Sequence, residues 1–374
     1  MDFDLSDDQR LLKDSVDRLV ADTYGFEQRS ALLKSPEGWS RENWARLAEL
    51  GLLGVNFAED HGGFGGGAVE TMLVAEAFGR GLVVEPYFAT VILAGGLLRH
   101  AGSTAQQAEY LPSIAAGELL FAFAHHERHA RHDLAHVATS ATRAGEGWEL
   151  NGEKSLVLHG DCADRLIVSA RISGAVSDPG GIGLFVVDTA GLARRGYPTQ
   201  DGLRMAEITL AGTKAEALLT EDGFPAIART VDEAIAFLCA EAVGAMSELH
   251  ASTIDYMKTR KQFGRAIGEF QVLQHRAVNM LVELEQARSM ALYATMMSSS
   301  NDAAERGRAM SAAKVQLGKS GRLVGQEAIQ LHGGIAMTME YKVGHYFKRV
   351  TMIEKMFGDT DAHLARLTAA GTAF

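Results

Sequence analysis

The chain is poor in the residues that staple or punctuate small folds. Two cysteines in 374 residues, Cys162 and Cys239, make neither a disulfide framework nor a C-x-x-C metal spacing, as expected in a reducing compartment. Only six prolines, with 47% of residues hydrophobic, exclude a disordered chain. There is no block of lysine or arginine, and the net charge of −11 is spread along the chain without an acidic tail, which argues against a nucleic-acid partner. The start, MDFDLSDDQRLLKDSV, lacks the basic opening and apolar core of a signal peptide. No apolar run is read as long enough to span a membrane, so a cytoplasmic protein is expected. The glycines of EDHGGFGGG follow no strand and fit neither G-x-G-x-x-G nor G-x-x-x-x-G-K-[ST], so they read as a turn. The zinc motif H-E-x-x-H is also missing, since Ala130 stands where His126 and Glu127 would need a second histidine. His125, His129, His132 and His136 would share one face of a helix, but a solvated polar loop is favoured and no metal is expected.

What is present falls into three textures. Residues 1–117 read as helical, with Ser6 as the N-cap of an amphipathic run. Residues 118–224 show short alternating segments such as WELNGEKSLVLHG and GIGLFVVDT between Gly, Asp and Asn turns, which predicts a small antiparallel β domain. Residues 225–374 return to long helical patterns over 227–258, 268–298 and 303–330, with a last helix after Asp359, and predict a four-helix bundle. The fold class is α+β: an N-terminal α-helical domain, a middle antiparallel β domain and a C-terminal four-helix bundle.

One residue conflicts with its surroundings. In AIAFLCAEAVGAM, Glu241 has Phe237, Leu238, Gly244 and Ala245 one turn away, and none can offer it a charge or a hydrogen-bond donor. A buried, unpaired carboxylate is expensive. Either this one faces water or a buried polar partner, or it is kept as a base.

Further on, YMKTRKQFGRAIGEFQVLQH ends a helix at Arg260 and Lys261 and turns at Phe263 and Gly264. Arginine at a helix C-terminus is ordinary dipole chemistry and also a good anion clamp. In AIQLHGGIAMTMEYKVGHYFKR, Gly333 and Gly334 break a helix and allow a ligand close to the backbone. These two motifs, with LGLLGVNFAEDHGGFGGG, EAFGRG, WELNGEKSLVLHGDCADRLIVSAR and the helix, sheet, helix order, resemble the acyl-CoA dehydrogenase family over essentially the whole chain.

That resemblance implies FAD, bound noncovalently between sheet domain and bundle and completed by a neighbouring subunit. It implies that Arg260 and Phe263 reach the neighbour's FAD pyrophosphate and adenine, that Gln271 supports that end, and that Gln330, Gly333 and Gly334 lie beside the dinucleotide. It implies an acyl-CoA substrate, oxidised at Cα and Cβ to the trans-2-enoyl thioester, with electron-transfer flavoprotein as acceptor. An oligomer follows, either of identical chains or with a second acyl-CoA dehydrogenase chain.

The chain also departs from the family. Where many members carry a catalytic glutamate in Tyr-Glu-Gly-Thr, this chain has MFGDTD, with Gly358 in the glutamate's place and Asp359 the nearest substitute, although a turn or N-cap suits Asp359 better. Other branches place the base on the helix before Arg260. One such position corresponds to Ala234 and is empty, whereas another corresponds to Glu241, the leading candidate. Arg260 lies nineteen residues on, about 28 Å along a helix, so one helix could offer a base to its own flavin and an arginine to the neighbour's. In place of the family's Thr-Glu-Pro and Gly-Ser-Asp stands FAFAHHERHARHDLAH. Such chains resemble the small subunits of two-component acyl-CoA dehydrogenases. A partner subunit without chemistry, completing another chain's FAD site, is therefore the alternative.

Overall fold

Ser6 caps the first helix as its position predicts. Its hydroxyl accepts the Gln9 N–H at 3.2 Å, and the Gln9 side chain accepts the Ser6 N–H at 3.0 Å, a reciprocal capping box. A computed structural model describes residues 4–371. Its first part holds α1 (Asp7–Thr23), α2 (Phe26–Leu32), α3 (Arg41–Glu49), α4 (Ala68–Gly81), α5 (Gly95–Ala101) and α6 (Thr104–Ala115). The strands are β1 (Phe121–Ala124), β2 (Ser140–Ala144), β3 (Gly147–Leu158), β4 (Arg165–Arg171), β5 (Ile182–Asp188), β6 (Ala193–Pro198), β7 (Arg204–Lys214) and β8 (Ala217–Thr220). Then come α7 (Phe224–Thr259), the hairpin β9 (Lys261–Gln262) and β10 (Arg265–Ala266), and α8 (Gln271–Ser298), α9 (Ala303–His332), α10 (Lys342–Lys355) and α11 (Thr360–Ala369). Helix α10 had no counterpart in the reading of the sequence, because the glycine pair and the turn after it mask a short amphipathic run.

The chain forms two compact units. One comprises residues 32–67 and 84–234 and contains an eight-stranded sheet in the order β6-β7-β3-β2-β4-β5-β8, with β1 also paired to β4. Pairing is antiparallel, apart from β1 on β4 and the single contact Ser140 to Arg171 of β2 on β4. Alternation along the strands puts Leu150, Val157, Leu166, Val168, Phe185 and Ile208 into one core, closed by Trp148.

The other unit comprises residues 1–31, 68–83 and 235–374. It is organised around α7, which corrects the reading that no apolar run reaches membrane-spanning length. This helix is long and apolar enough, but 78% of its apolar window is buried inside the protein, as in the central helix of a bundle. Gly79 of α4 and Gly244 of α7 let these two helices meet backbone to backbone: a Cβ on Gly79 would lie 1.9 Å from the Glu241 carbonyl oxygen.

Candidate functional site

Glu241 is buried but not alone. From α10, 108 residues away, Arg349 donates through Nε to Oε1 at 2.6 Å and through Nη2 to Oε2 at 2.8 Å. Both residues are about 5% exposed or less. The helix's own neighbours offer nothing, as expected, and tertiary packing supplies a buried polar partner, a bidentate guanidinium. Proton abstraction by Glu241 would require breaking two charge-assisted bonds inside the bundle.

Asp359 is the N-cap of α11. Its Oδ1 accepts the Ala362 N–H at 3.0 Å, and Lys355 Nζ lies 3.2 Å from Oδ2. Just before it, Gly358 adopts φ +116°, and a Cβ there would come within 2.9 Å of His363 Nε2. His363 is itself buried, with Nδ1 3.1 Å from Ser311 Oγ. Buried Lys314 donates to the carbonyls of Ile353, Glu354 and Met356 at 2.7, 3.1 and 2.9 Å, tying down the end of α10. Burial pushes this ammonium down to about 8.

The carboxy-terminal motifs are built differently, with their functional groups outward. Helix α7 ends at Thr259, and the two-residue turn Phe263–Gly264 joins β9 to β10 with φ of +53° and +82°. Two left-handed residues suit a tight hairpin, but phenylalanine at such a φ carries strain. Its ring is nevertheless 91% exposed. Arg260 and Gln271 are exposed, as is Gln330, and none of these three side chains takes a hydrogen bond within the described residues. Gly333 ends α9 at φ +67°, and a Cβ added at Gly333 or Gly334 would meet nothing within 4 Å. The sequence reading missed what joins these motifs: buried His332, just before the glycine pair, stacks on Tyr256 of α7 at 4.4 Å. An aromatic one turn before Arg260 and a histidine beside the glycines were the available signal.

The histidine-rich segment is a loop with His129 and His132 exposed, as expected, but its first residues turn inward. His125 and Glu127 are buried. Lys154 Nζ donates to Glu127 Oε1 at 2.7 Å, to the His125 carbonyl and to Ser169 Oγ, both at 3.1 Å. Glu127 also accepts the N–H groups of Ala138 and Thr139. Burial alone would raise this carboxyl, but the Lys154 charge and these bonds hold it below its usual range. Burial and the Lys154 charge press His125 down to about 3, so it is neutral. Among the described residues no group of three or more His, Cys, Asp or Glu side chains is placed to hold a metal. In β3, Leu156 sits at φ +54° beside a break in register with β7 and is 48% exposed.

A planar, charged cofactor suits the outward set. Arg260 offers an uncommitted cation, Gln271 and Gln330 offer amides, the glycine pair offers open backbone, and Phe263 is an apolar side chain held out on left-handed backbone.

Comparison with known proteins matches three family models along the chain: "Acyl-CoA dehydrogenase, N-terminal domain" over residues 6–118, "middle domain" over 122–213 and "C-terminal domain" over 221–371. A probable acyl-CoA dehydrogenase, YngJ of Bacillus subtilis, is 28% identical, with 99% of each chain covered. Acyl-CoA dehydrogenase fadE12 of Mycobacterium tuberculosis is 30% identical, over 90% of this chain and 89% of that one. Among solved structures, a variant of the Tcur3481-Tcur3483 steroid acyl-CoA dehydrogenase superposes with TM-score 0.87 at 29% identity over 97% of both chains. The ChsE4-ChsE5 complex of Mycobacterium tuberculosis gives TM-score 0.89 at 24% identity over 100% of both, a likeness of fold.

Proposed function

The chain belongs to the acyl-CoA dehydrogenase family, and from that premise we propose that its outward carboxy-terminal motifs complete an FAD site in an assembly of two or more such chains. It is an FAD-dependent oxidoreductase acting on acyl-CoA, forming the α,β-unsaturated thioester. When bound, FAD supplies the hydride acceptor that no side chain can provide. In this reading Arg260 holds the pyrophosphate, Phe263 packs on the adenine, Gln271 and Gln330 hydrogen-bond nearby, and Gly333 and Gly334 admit the dinucleotide to the backbone. The divisions 1–117, 118–224 and 225–374, an electron-transfer flavoprotein as acceptor and a cytoplasmic setting accompany it.

The observation that carries the reading is Phe263: an almost fully exposed aromatic residue on strained backbone, three residues after an uncommitted arginine. Arg260→Ala with Phe263→Ala is expected to weaken FAD binding about 10- to 100-fold, the worth of a charge-assisted bond. Stability of the apoprotein should stay within about 0.5 kcal/mol, because both side chains are at the surface. Flavin titration followed by fluorescence, alongside urea denaturation, checks both. Full retention of FAD by the double variant would remove these residues from the site.

A second reading is favoured by one specific observation. Glu241 is bound to Arg349 and Asp359 to its helix cap, so neither is a free carboxylate for the α-proton. A second, different chain would then contribute the base, while this one completes that chain's FAD site. The chain purified alone and yellow, and bleached by acyl-CoA without oxygen, supports a self-sufficient enzyme. Colour and bleaching that arise only with a second chain support the shared site.

A further inference from the structure

Three aromatic rings meet where α7 and α9 end and α10 begins. His332, the last residue of α9, stacks on Tyr256 with ring centres 4.4 Å apart and planes 29° from parallel. Tyr341, the N-cap of α10, stands 5.2 Å from His332 and 6.5 Å from Tyr256, tilted against the one and edge-on to the other. His332 is buried, and its Nδ1 donates to the Ala328 carbonyl at 2.8 Å, since a carbonyl can only accept. Both tyrosines are half-buried.

Each ring belongs to the frame of an outward-facing motif. The Arg260 N–H donates to the Tyr256 carbonyl at 2.8 Å, so the arginine is one backbone hydrogen bond from the stack. His332 immediately precedes Gly333, and Tyr341 follows the turn 333–340 at its far end. The rings thus clamp both ends of that turn and dock it on the last turn of α7. Two polar ties act beside them: Lys342 Nζ donates to Glu248 of α7 at 2.6 Å, and His345 Nε2 lies 3.0 Å from the Met339 carbonyl. Gly344 lets the turn lie close on α10, where a Cβ would stand 2.7 Å from the Ala336 carbonyl oxygen.

A turn that opens on two glycines is loose by itself, because glycine has the most backbone freedom to lose. A ligand that had to order such a turn would bind more weakly by that lost entropy. Here the turn is ordered beforehand from its two ends, while a Cβ on Gly333 or Gly334 would still meet nothing within 4 Å. The backbone stays open and the frame stays closed.

We propose that His332, Tyr256 and Tyr341 are positioning residues for the dinucleotide. Their stack holds the glycine turn in its open shape, at a fixed spacing from Arg260, before the cofactor arrives. The ring of His332 carries this role, and its hydrogen bond to Ala328 does not. The proposal rests on the reading of Arg260 and the glycine pair as an FAD site.

Two replacements separate ring from hydrogen bond. His332→Asn keeps an N–H where Nδ1 stands and removes the ring, whereas His332→Phe keeps the ring and removes the N–H. Flavin titration by fluorescence, with the partner chain if FAD requires one, gives the affinity. Urea denaturation of the apoprotein gives its stability, and hydrogen exchange over residues 333–340 reports the order of the turn. His332→Asn is expected to weaken FAD binding about 3- to 10-fold, the worth of one aromatic contact, and to speed exchange in the turn before FAD is added. His332→Phe should restore both. Tyr256→Leu should match His332→Asn, and the two together should do little more than either alone, because they remove the same stack. Tyr341→Ala, at a half-buried position outside the helices, should shift affinity and exchange in the same direction, and it serves if His332→Asn does not fold.

A purely structural stack predicts lower stability with FAD affinity and turn exchange unchanged, and that result overturns the proposal. A Phe variant as impaired as the Asn variant does the same. Loss of FAD in Arg260→Ala with Phe263→Ala, beside native affinity in His332→Asn, overturns this proposal alone. Full retention of FAD by that double variant overturns it together with the site on which it rests.

Discussion

Glu241→Leu is expected to cost about 3–5 kcal/mol of stability, the largest loss of any single side chain considered. The loss comes from the partner. Arg349 is 4% exposed, and its Nε and Nη2 both donate to this carboxylate, so removal of Glu241 leaves a guanidinium in the bundle without its counter-charge. Arg349→Met should cost a similar amount by the converse argument. The double replacement, Glu241→Leu with Arg349→Met, removes both charges and is expected to recover most of the stability, since a buried ion pair roughly breaks even against apolar residues of similar size. Urea denaturation of the four proteins gives the coupling directly. The same set separates structure from chemistry. A structural Glu241 predicts that the refolded double variant still reduces its flavin with acyl-CoA, in its native assembly. A catalytic Glu241 predicts a stable double variant whose reduction is slower by about 10²–10⁴, the usual worth of a general base.

The cost of Glu241 could be read from its own helix, because every neighbour within a turn is apolar or glycine. Its partner could not, because Arg349 sits on α10, an element that the pattern of the sequence did not disclose. The histidine-rich segment was legible as a loop, but the burial of its first residues was not, for the same reason: Glu127 looks like a surface residue until Lys154 arrives from β3, 27 residues on. Helix α7 was legible as a helix, yet its apolar length was underestimated, since a central helix is apolar on most of its circumference. The outward motifs were the most legible, because hairpin, arginine and glycine pair are local in sequence. The stack of His332 on Tyr256 that joins them is not local. What the sequence displays is the group that must face a ligand; what it conceals is the long-range pair that holds the group there.

The second large effect concerns a contact with no side chain at all. Gly79→Ala would place a Cβ 1.9 Å from the Glu241 carbonyl oxygen and 3.0 Å from the Ala245 nitrogen, and Gly244→Ala would place one 2.0 Å from the Glu76 carbonyl oxygen and 3.0 Å from the Arg80 nitrogen. The two clashes are reciprocal across one crossing of α4 and α7, and both partners are backbone, which cannot swing aside. In an isolated helix each alanine would gain about 1 kcal/mol from propensity. Here the helices must separate instead, and an overpacking cost of about 3 kcal/mol or more, at the upper end for such changes, is expected for each. Separation also strains a charge network: Glu76 Oε1 accepts from Arg80 and from Arg288 at 3.0 Å each, Arg288 reaches Ser247 of α7 at 3.1 Å, and Tyr346 donates to the Arg80 carbonyl. The second alanine should cost less than the first, because a crossing already opened has room for it, so the double variant should be more stable than the sum of the singles. Thermal and urea unfolding test this. A Gly79→Ala protein as stable as the parent would mean that α4 and α7 do not meet at backbone distance. The placement of Glu241 against Arg349 would then need to be redrawn, since the carbonyl that Gly79 accommodates belongs to Glu241.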